Sequence, residues 1–420
     1  YIASDIPALL EYTRDYYLLE TNEIAVLKND GVKLYDIDGK EIKKEVYHVT
    51  WDIAAAEKGG YDYFMMKEIM EQPEALKKTI QPRVTESGIH LEDVSLTEEE
   101  IKNCGRIHIV ACGSAMHAGV VGRYVIEETC RIPVEVDIAS EFRYRNPILA
   151  KNDLCIIISQ SGETADTLAA LREAKKQGVK VLAIVNVVGS SIAREADKVF
   201  YTLAGPEISV ATTKAYSAQL AAMYCLAVQF AKVRGKITEE QYGYYIAELL
   251  TIPEKIQKIL EDKERLQWFA AKYANASDVF FVGRGIDYAV CLEGSLKLKE
   301  ISYIHSEAYA AGELKHGTIS LIEQGTLVIG VLTQNELYEK TISNMLECKS
   351  RGAYLMGMTT YGNYEIEDQV NFAVYVPKVD EHFMASLAVI PLQLLGYYVS
   401  VAKGLDVDKP RNLAKSVTVE

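Results

Sequence analysis

The sequence lacks the features that would place the chain in several common protein classes. No uninterrupted apolar run reaches the ~18–20 residues of a membrane-spanning helix, so no integral membrane protein is expected. Its seven cysteines show neither a CxxC pair nor zinc-like spacing, which predicts reduced core residues of a cytoplasmic protein. The histidines and acids lack HxxxH or EF-hand spacing and no organic-cofactor motif is present, so neither a metal nor a cofactor is expected.

The chain also has fewer basic than acidic side chains. The 420 residues carry 45 Lys and Arg against 59 Asp and Glu, a net charge of −14. A generic binder of nucleic acid or anionic lipid would be basic, so neither nucleic acid nor a membrane is expected as a partner. Hydrophobic residues make up 49% of the chain, which is an ordinary globular composition, and the length suggests two or three domains.

The first fifty residues predict a small antiparallel sheet. Alternating apolar runs between residues 22 and 48 are broken at Asn29-Asp30-Gly31 and at Asp38-Gly39, which are typical hairpin turns. Three such strands are marginally stable alone. The chain also begins with Tyr1, so we expect residues 1–50 to be the end of a domain whose main part is missing.

From about residue 104, apolar strands alternate with helices, and the pattern occurs twice. Gly113 and Gly285 each end a predicted strand and lie 172 residues apart, and Glu141 and Glu313 have the same separation. Such alternation indicates a parallel sheet with crossover helices. The sequence therefore predicts a duplicated α/β domain, with chance alignment as the alternative.

The sharpest local feature is a polar turn after a buried strand. Ser159, Gln160, Ser161, Gly162 and Thr164 lead from this predicted strand directly into a helix. A helix start has unpaired N–H groups and partial positive charge, and the hydroxyls add uncharged donors. The turn therefore predicts a phosphate-binding loop without lysine, with a plain Ser/Thr N-cap as the alternative.

Two other strand ends carry serines. Ser114 follows the strand that ends at Cys112-Gly113, and parallel strands end at one sheet edge, so Ser114 is expected to face the same cavity. The pair Ser190-Ser191 is interpreted as a helix cap.

The segment SQSGET resembles the sugar-isomerase (SIS) family of phosphosugar-binding domains. Two copies, together with the segments ASEFRYR, EAYAAGELKHG and PRNLAKSVTVE, resemble its glutamine:fructose-6-phosphate amidotransferase branch over essentially the whole chain. The resemblance implies an α/β fold with two tandem SIS domains, each a mainly parallel sheet between helices in three layers, after a small antiparallel β remnant. The predicted boundaries are residues 1–50 for a glutaminase-domain remnant, 51–95 for a linker and helix, 96–236 and 270–408 for the SIS domains, 237–269 for a helical connection, and 409–420 for a C-terminal catalytic tail.

The resemblance also implies a reaction, the conversion of fructose 6-phosphate and ammonia to glucosamine 6-phosphate. The nucleophilic cysteine that begins the family's glutaminase domain is absent from this sequence. We therefore expect no glutaminase activity in this chain, and ammonia from a glutaminase domain that is missing here.

Three charged residues share one stripe of a predicted helix. Glu293, Lys297 and Glu300 are separated by four and three residues, a pattern more typical of a solvated face, although the flanking residues are apolar. The resemblance implies that Glu300 is the proton-shuttling base. Lys297 is then its supporting cation, expected to hold that carboxylate ionised.

The resemblance gives roles to residues that would otherwise be unremarkable. His316 can exchange a proton near pH 7, and the resemblance implies that it opens the sugar ring from the neighbouring subunit of a homodimer. Lys415 can form a Schiff base with a ketone, on a tail that closes over the sugar. Without the resemblance, His316 would be structural and Lys415 merely exposed.

Further substrate contacts are implied for Thr212 and Ala414. Ala115 departs from the family, which commonly has a second hydroxyl at this position, so one hydrogen bond to the substrate is lost. Two other functions stay open, a non-catalytic phosphosugar sensor and a phosphohexose isomerase that does not use ammonia.

Overall fold

The computed structural model describes residues 1–3, 9, 12–20, 22–48, 57–85 and 87–418. These residues form two compact units, residues 1–60 and residues 61–420. Parts of the predicted remnant, the first six residues of the predicted linker, and residues 419–420 of the predicted tail lie outside the described residues.

The first unit contains the predicted antiparallel strands. Its strands are β1 (Asp15–Tyr16), β2 (Glu23–Lys28), β3 (Gly31–Asp36), β4 (Glu41–Ile42) and β5 (Tyr47–His48). Strands β2, β3 and β4 form one antiparallel sheet, and β1 pairs with β5. The Asp36 carboxylate accepts hydrogen bonds from the backbone of Asp38 and Lys40, which closes the second turn. The predicted hairpins are confirmed.

The second unit begins with helices and a small hairpin. These elements are α1 (Phe64–Met70), α2 (Gln72–Ile80), β6 (Val84–Thr85), β7 (Gly88–Ile89) and α3 (Glu98–Asn103). Residues 51–95 were predicted to hold a linker and one helix, but the structure has two helices, α1 and α2, with a break at Glu71, and a third, α3, begins at Glu98. The reason for the break is Pro73, which lies in the first turn of α2 and has no N–H to continue the hydrogen bonds of α1.

Two α/β domains follow, joined by long helices. The first contains β8 (Ile107–Ala111), α4 (Gly113–Cys130), β9 (Val134–Ile138), α5 (Ala139–Phe142), β10 (Leu154–Ser159), α6 (Ala165–Lys176), β11 (Lys180–Val185), α7 (Ser191–Glu195) and β12 (Lys198–Tyr201). The first domain ends with α8 (Lys214–Val233), and the connection contains α9 (Glu239–Glu261) and α10 (Glu264–Tyr273). The second contains β13 (Asp278–Gly283), α11 (Ile286–Ser302), β14 (His305–Ala310), β15 (Leu327–Leu332), α12 (Tyr338–Lys349), β16 (Tyr354–Thr360), β17 (Phe372–Val376) and α13 (Ala385–Ala402), with short 3-10 helices between them.

The two domains have the same sheet topology. The first sheet has the order β12-β11-β10-β8-β9 and the second the order β14-β13-β15-β16-β17, and every pairing is parallel. Numbered along each domain, both orders are 2-1-3-4-5, whose ligand-binding crevice lies where strands one and three diverge. Gly113 and Gly285, which follow the first strand of each sheet, both adopt positive φ, 55° and 58°. The predicted duplication is confirmed.

A shared apolar core joins the two domains. One buried cluster contains residues of α4 and α8 from the first half of the unit and of α11 and α13 from the second. Helix α11 contacts both α4 and α13. The charged residues on α11 therefore lie against the first domain, although they belong to the second.

One helical stretch of the described residues, Glu381–Ala402, is long and apolar enough to cross a membrane by length and composition. Ser386, Gln393 and Ser400 interrupt this stretch, so it contains no uninterrupted apolar run of membrane-spanning length, as the sequence predicted, although it is apolar on average. In the structure 94% of its apolar window is buried, as in a core helix.

All seven cysteines are free, six of them buried and Cys112 half-buried. Burial raises the pKa of the Cys155 thiol to about 12. The prediction that the cysteines are core residues is confirmed for the six that are buried.

Candidate active site

The polar loop of the first domain lies between β10 and α6, at the crevice between strands one and three. The Ser159 hydroxyl accepts a hydrogen bond from the Gly162 amide at 3.1 Å and bonds the Thr164 hydroxyl at 3.1 Å. Thr164 occupies the N-cap position of α6, but its side chain makes no cap hydrogen bond. The plain N-cap alternative is therefore wrong, because the hydroxyls hold the loop rather than the helix end.

Gly162 fits closely against a neighbouring turn. Its φ is +68°, and a Cβ added there would lie 2.0 Å from the Ser190 hydroxyl. Its carbonyl accepts a hydrogen bond from Ile192, and the Glu163 carboxylate accepts one from the Ser191 amide at 2.8 Å. Ser190 is at the N-cap position of α7 yet makes no side-chain cap bond, so its interpretation as a cap was wrong. The turn instead supports the loop.

The C-terminal tail lies on the same loop. The amide of Ala165, in the first turn of α6, donates to the Val417 carbonyl at 3.0 Å. The hydroxyls of Ser161 and Ser416 are 3.2 Å apart and hydrogen-bonded. The predicted loop and the predicted tail therefore meet, although they are 255 residues apart in the sequence.

Other residues predicted to contact substrate border these two segments. Gln160 is half-buried, and its carbonyl accepts a hydrogen bond from the Asn186 amide. Ala414 is exposed beside Lys415, and Thr212 is half-buried just before α8. Their roles in substrate binding stay predictions.

Lys415 is held by a buried acid. Its ammonium lies 2.6 Å from the carboxylate of Glu207, whose side chain is completely buried, so Lys415 is not simply a solvent-exposed residue. The other Glu207 oxygen accepts hydrogen bonds from the amides of Thr213 and Ala215, where α8 begins. Burial alone would raise the pKa of Glu207, but Lys415 and these amides outweigh it, so the pKa lies below its usual value.

A second buried acid lies beside Glu207. Glu68, on α1, accepts hydrogen bonds from the amides of Ile208 and Ser209 at 2.5 and 3.1 Å. Burial, together with the charge of Glu207, raises the pKa of Glu68 to about 8. Neither acid was singled out from the sequence, and the one available signal for Glu207 was its place five residues before Thr212, a predicted substrate contact.

The charged stripe on α11 is buried. Lys297 pairs with Glu293 at 3.4 Å and with Glu300, and the side chains of Glu293 and Lys297 are at most 1% exposed. The solvated-face alternative is therefore wrong. Burial lowers the pKa of Lys297, but its two carboxylate partners outweigh this effect, so it is raised overall and the lysine stays charged.

The expected effect of Lys297 on Glu300 is only half confirmed. The two residues form the predicted ion pair. Burial nevertheless outweighs that attraction, so the pKa of Glu300 is raised above its ordinary value rather than lowered. A carboxylate with a raised pKa is a better proton acceptor, which suits a base more than the strongly ionised form that the sequence suggested.

Ser114 has a different partner from the one expected. Its hydroxyl donates to Glu293 at 2.9 Å, and His117, one helical turn later on α4, bonds the other Glu293 oxygen at 2.8 Å. Burial raises the pKa of Glu293, but Lys297 and His117 outweigh it and lower the pKa overall. Ser114 therefore joins the first domain to the α11 stripe, and its contact with substrate stays a prediction.

His316 is not brought to this cluster by the fold of one chain. It ends a short 3-10 helix, Ala311–His316, and its side chain is exposed. It takes part in none of the hydrogen bonds that join Lys415, Glu300 and their partners among the described residues. Its role in a site shared between subunits stays a prediction.

The corresponding loop of the second domain is already filled by a side chain. Asp287, in the first turn of α11, accepts hydrogen bonds from the Thr333 amide and hydroxyl and from the Gln334 amide. The residue 172 positions earlier in the first domain is Ala115, which has no such carboxylate.

Comparison with known proteins identifies the family. The SIS domain model matches residues 100–229 and 272–403. A glutamine--fructose-6-phosphate aminotransferase [isomerizing] from Clostridium tetani is 59% identical over the whole chain, which covers 69% of that relative. The chain belongs to the glutamine--fructose-6-phosphate aminotransferase [isomerizing] family.

Further members of this aminotransferase family support the assignment. The relative from Methanosarcina mazei is 47% identical over the whole chain, which covers 68% of it. The solved C-terminal domain of the Francisella tularensis glucosamine-fructose-6-phosphate aminotransferase superposes with a TM-score of 0.80 and 39% identity. It covers 84% of this chain and is itself covered completely. The resemblance to tandem SIS domains is confirmed.

No cluster of three or more His, Cys, Asp or Glu side chains is arranged to hold a metal ion in the part of the chain that the structure describes. The concentrated charges of the site are instead paired with one another or with backbone amides. The arrangement can bind an anion through hydroxyls and amides, hold one amine beside a buried carboxylate, and move a proton through a buried Glu–Lys–Glu stripe.

Proposed function

We propose that the chain binds fructose 6-phosphate, opens its ring, adds ammonia at C2 and isomerises the product to glucosamine 6-phosphate. The observation that carries this proposal is the position of Lys415. Its amine is fixed on Glu207, while the next two residues of the tail hydrogen-bond the loop at the start of α6. An amine beside an anion-binding loop suits a sugar that carries a ketone and a phosphate.

The loop anchors the phosphate in this proposal. The first turn of α6 supplies amides and partial positive charge, and Ser159, Ser161 and Thr164 supply hydroxyls. The Lys415 nitrogen then adds its lone pair to the C2 carbonyl, and loss of one water leaves an imine. Ammonia displaces the lysine at C2, and the free Lys415 amine is regenerated.

The last step moves a proton between two carbons. Glu300 takes a proton from C1, the C1–C2 double bond forms, and the imine nitrogen takes up a proton as its double bond to C2 is lost. Return of a proton to C2 and loss of the C1 hydroxyl proton then leave the aldehyde of glucosamine 6-phosphate. The raised pKa of Glu300, caused by its burial, supports this role as acceptor. Lys297 stabilises the carboxylate that is restored after each cycle.

Ring opening and assembly complete the proposal. We assign ring opening to His316, supplied by a second copy of the chain in a homodimer, because its exposed position on one chain leaves it available to a neighbour. The partners are fructose 6-phosphate and ammonia, with no nucleic acid or membrane, and the location is cytoplasmic. The acidic net charge of −14 supports the absence of those polyanionic partners.

The proposal is tested by supplying fructose 6-phosphate with ammonium or with glutamine. We expect glucosamine 6-phosphate from ammonium and none from glutamine, together with slow conversion of fructose 6-phosphate to glucose 6-phosphate. Glutamine hydrolysis would contradict the second expectation. Binding of fructose 6-phosphate without any product would favour the phosphosugar sensor.

Variants separate the two roles of the site. Lys415→Ala should abolish amination and retain sugar-phosphate binding, while Lys409→Ala, the same change at the exposed first residue of the tail, should leave both unchanged. Ser161→Ala with Thr164→Ala should weaken substrate binding by about tenfold or more, as expected for the loss of two hydrogen bonds to an anion. Unchanged amination in Lys415→Ala would refute the role of Lys415, whereas sugar-phosphate isomerisation without any amination in the unmodified chain would favour the phosphohexose isomerase.

A further inference from the structure

Two buried carboxyl groups, those of Glu207 and Glu68, lie near the Lys415 ammonium. A single carboxylate would be enough to neutralise its charge. Glu207 pairs with the ammonium directly at 2.6 Å. Glu68, which is 2% exposed, lies near Glu207, and one of its oxygens accepts hydrogen bonds from the amides of Ile208 and Ser209. The other oxygen of Glu68 is buried and has no hydrogen-bond partner in the part of the chain that the structure describes.

None of the other charged groups around Glu68 supplies a hydrogen-bond partner for its second oxygen among the described residues. Lys214, on α8, is paired with Glu71 at 2.7 Å, and Lys297 faces Glu207 from α11 but is held by the two carboxylates of its own helix. Asp408 is used by the first amides of α1. Two ionised carboxylates beside one ammonium would leave a buried negative charge in excess, which is costly.

We propose that Glu68 is a positioning residue that controls, through Glu207, how readily the Lys415 amine gives up its proton. Glu68 stays neutral while Lys415 is an ammonium paired with ionised Glu207. The set of three groups then carries no net charge. This inference rests on the proposed function, because a regulated free amine at Lys415 matters only if that amine reacts.

The proton movement balances within the three groups. When the sugar ketone approaches, the N–H bond of the ammonium breaks, its proton passes to Glu207, and the nitrogen lone pair is free to add to the carbonyl carbon. Glu207 and Glu68 then hold one proton each, and no charge has left the site. If Glu68 were ionised instead, its negative charge would hold the proton on Lys415 and slow the reaction.

The test measures the free amine without any sugar. Trace acetylation with acetic anhydride, followed by mass spectrometry of the peptide that contains Lys415, reports the fraction of unprotonated amine between pH 6.5 and 9.5. Glu68→Gln keeps the oxygen that accepts the two amide hydrogen bonds but cannot ionise. Glu74→Gln makes the same chemical change at an exposed position of α2 and is the matched control.

We expect equal labelling of Lys415 in all three proteins at pH 7, where Glu68 is neutral. At pH 9 and above, where Glu68 is ionised in the other two proteins, we expect labelling about three- to tenfold faster in Glu68→Gln. Identical profiles in wild type and Glu68→Gln would overturn the inference. A merely structural role would lower the thermal midpoint without moving the profile.

Two further measurements keep the result decisive. If Glu68→Gln does not fold, the wild-type profile alone serves: it should bend near pH 8, where Glu68 ionises, and a curve for one ionisation would contradict the inference. Trapping of fructose 6-phosphate on Lys415 with cyanoborohydride tests the proposed function separately. A shifted labelling profile without trapping would leave Glu68 in its role and reject the Schiff base.

Discussion

Gly162 shows how one residue can determine the shape of a binding loop. Its positive φ is unfavourable for any residue with a Cβ, and the space that a Cβ would need is occupied by the Ser190 hydroxyl. The loop at Gly162 and the turn at Ser190 are therefore in close contact at this point. A side chain here would move the amides and hydroxyls that we assign to phosphate binding.

We expect Gly162→Ala to destabilise the protein by roughly 2–4 kcal/mol, because backbone strain adds to overpacking. Gly178→Ala is the matched control, with φ +78° and no atom within 4 Å of its added Cβ, and should cost only about 1–2 kcal/mol. Urea unfolding measures both changes, and titration with fructose 6-phosphate should show weaker binding for Gly162→Ala alone.

A second substitution tests the cause of the larger effect. Adding Ser190→Gly to Gly162→Ala removes the clashing hydroxyl and should restore part of the lost stability. Equal costs for the two alanine variants would show that the contact with Ser190 has no energetic importance.

Helix α11 carries its functional charges inside the protein rather than on its surface. Glu293, Lys297 and Glu300 are paired with one another, and Ser114 and His117 on α4 complete the partners of Glu293. Such a set is stable only when complete, because a single missing partner leaves a buried charge unpaired. Substitutions in this set of charges are therefore expected to change both the activity and the stability of the protein.

Lys297→Met should lower the free energy of unfolding by about 3–5 kcal/mol and abolish isomerisation, because the buried carboxylate of Glu293 and the half-buried carboxylate of Glu300 lose their cation. Lys299→Met makes the same change at an exposed position two residues later and should be close to neutral. Thermal or urea unfolding with an isomerisation assay measures both. Adding Glu300→Gln to Lys297→Met should recover stability without activity, and a full return of activity would reject the role of Glu300.

The two domains contribute unequally to one site. The first supplies the phosphate loop and Glu207, the second supplies the α11 stripe, and the tail that follows the second returns to the loop of the first. His316 is the one proposed catalytic residue that a single chain leaves exposed and apart from this cluster. Under the proposed homodimer, each site then needs two chains.

Mixed dimers test this arrangement. Chains with Lys415→Ala and chains with His316→Ala should each be inactive alone. After mixing and exchange of subunits, half of the dimers contain one chain of each kind, and each such dimer has one complete site, so about a quarter of wild-type activity should return. Mixing His316→Ala with His316→Asn is the control and should stay inactive. No recovery after proven subunit exchange would place His316 in its own chain's site or outside catalysis.

The local pattern of the sequence determined the elements and the loop. Strand–helix alternation gave the two parallel sheets, and the turn from Ser159 to Thr164 was recognised because its residue types have few other uses in such a place. Helical spacing placed Lys297 and Glu300 on one stripe of α11, although by itself it favoured a solvated face. These features depend on neighbours within a few residues, and local chemistry is sufficient to predict them.

Only the tertiary structure decided what surrounds the reactive groups. Glu68 and Glu207 are 139 residues apart, and His117 meets Glu293 across 176 residues, so no spacing rule joins them. The tertiary structure also reversed the direction of the Glu300 pKa, because burial outweighed the ion pair that the sequence revealed. Desolvation depends on everything packed around a group, and that information is spread over the whole chain.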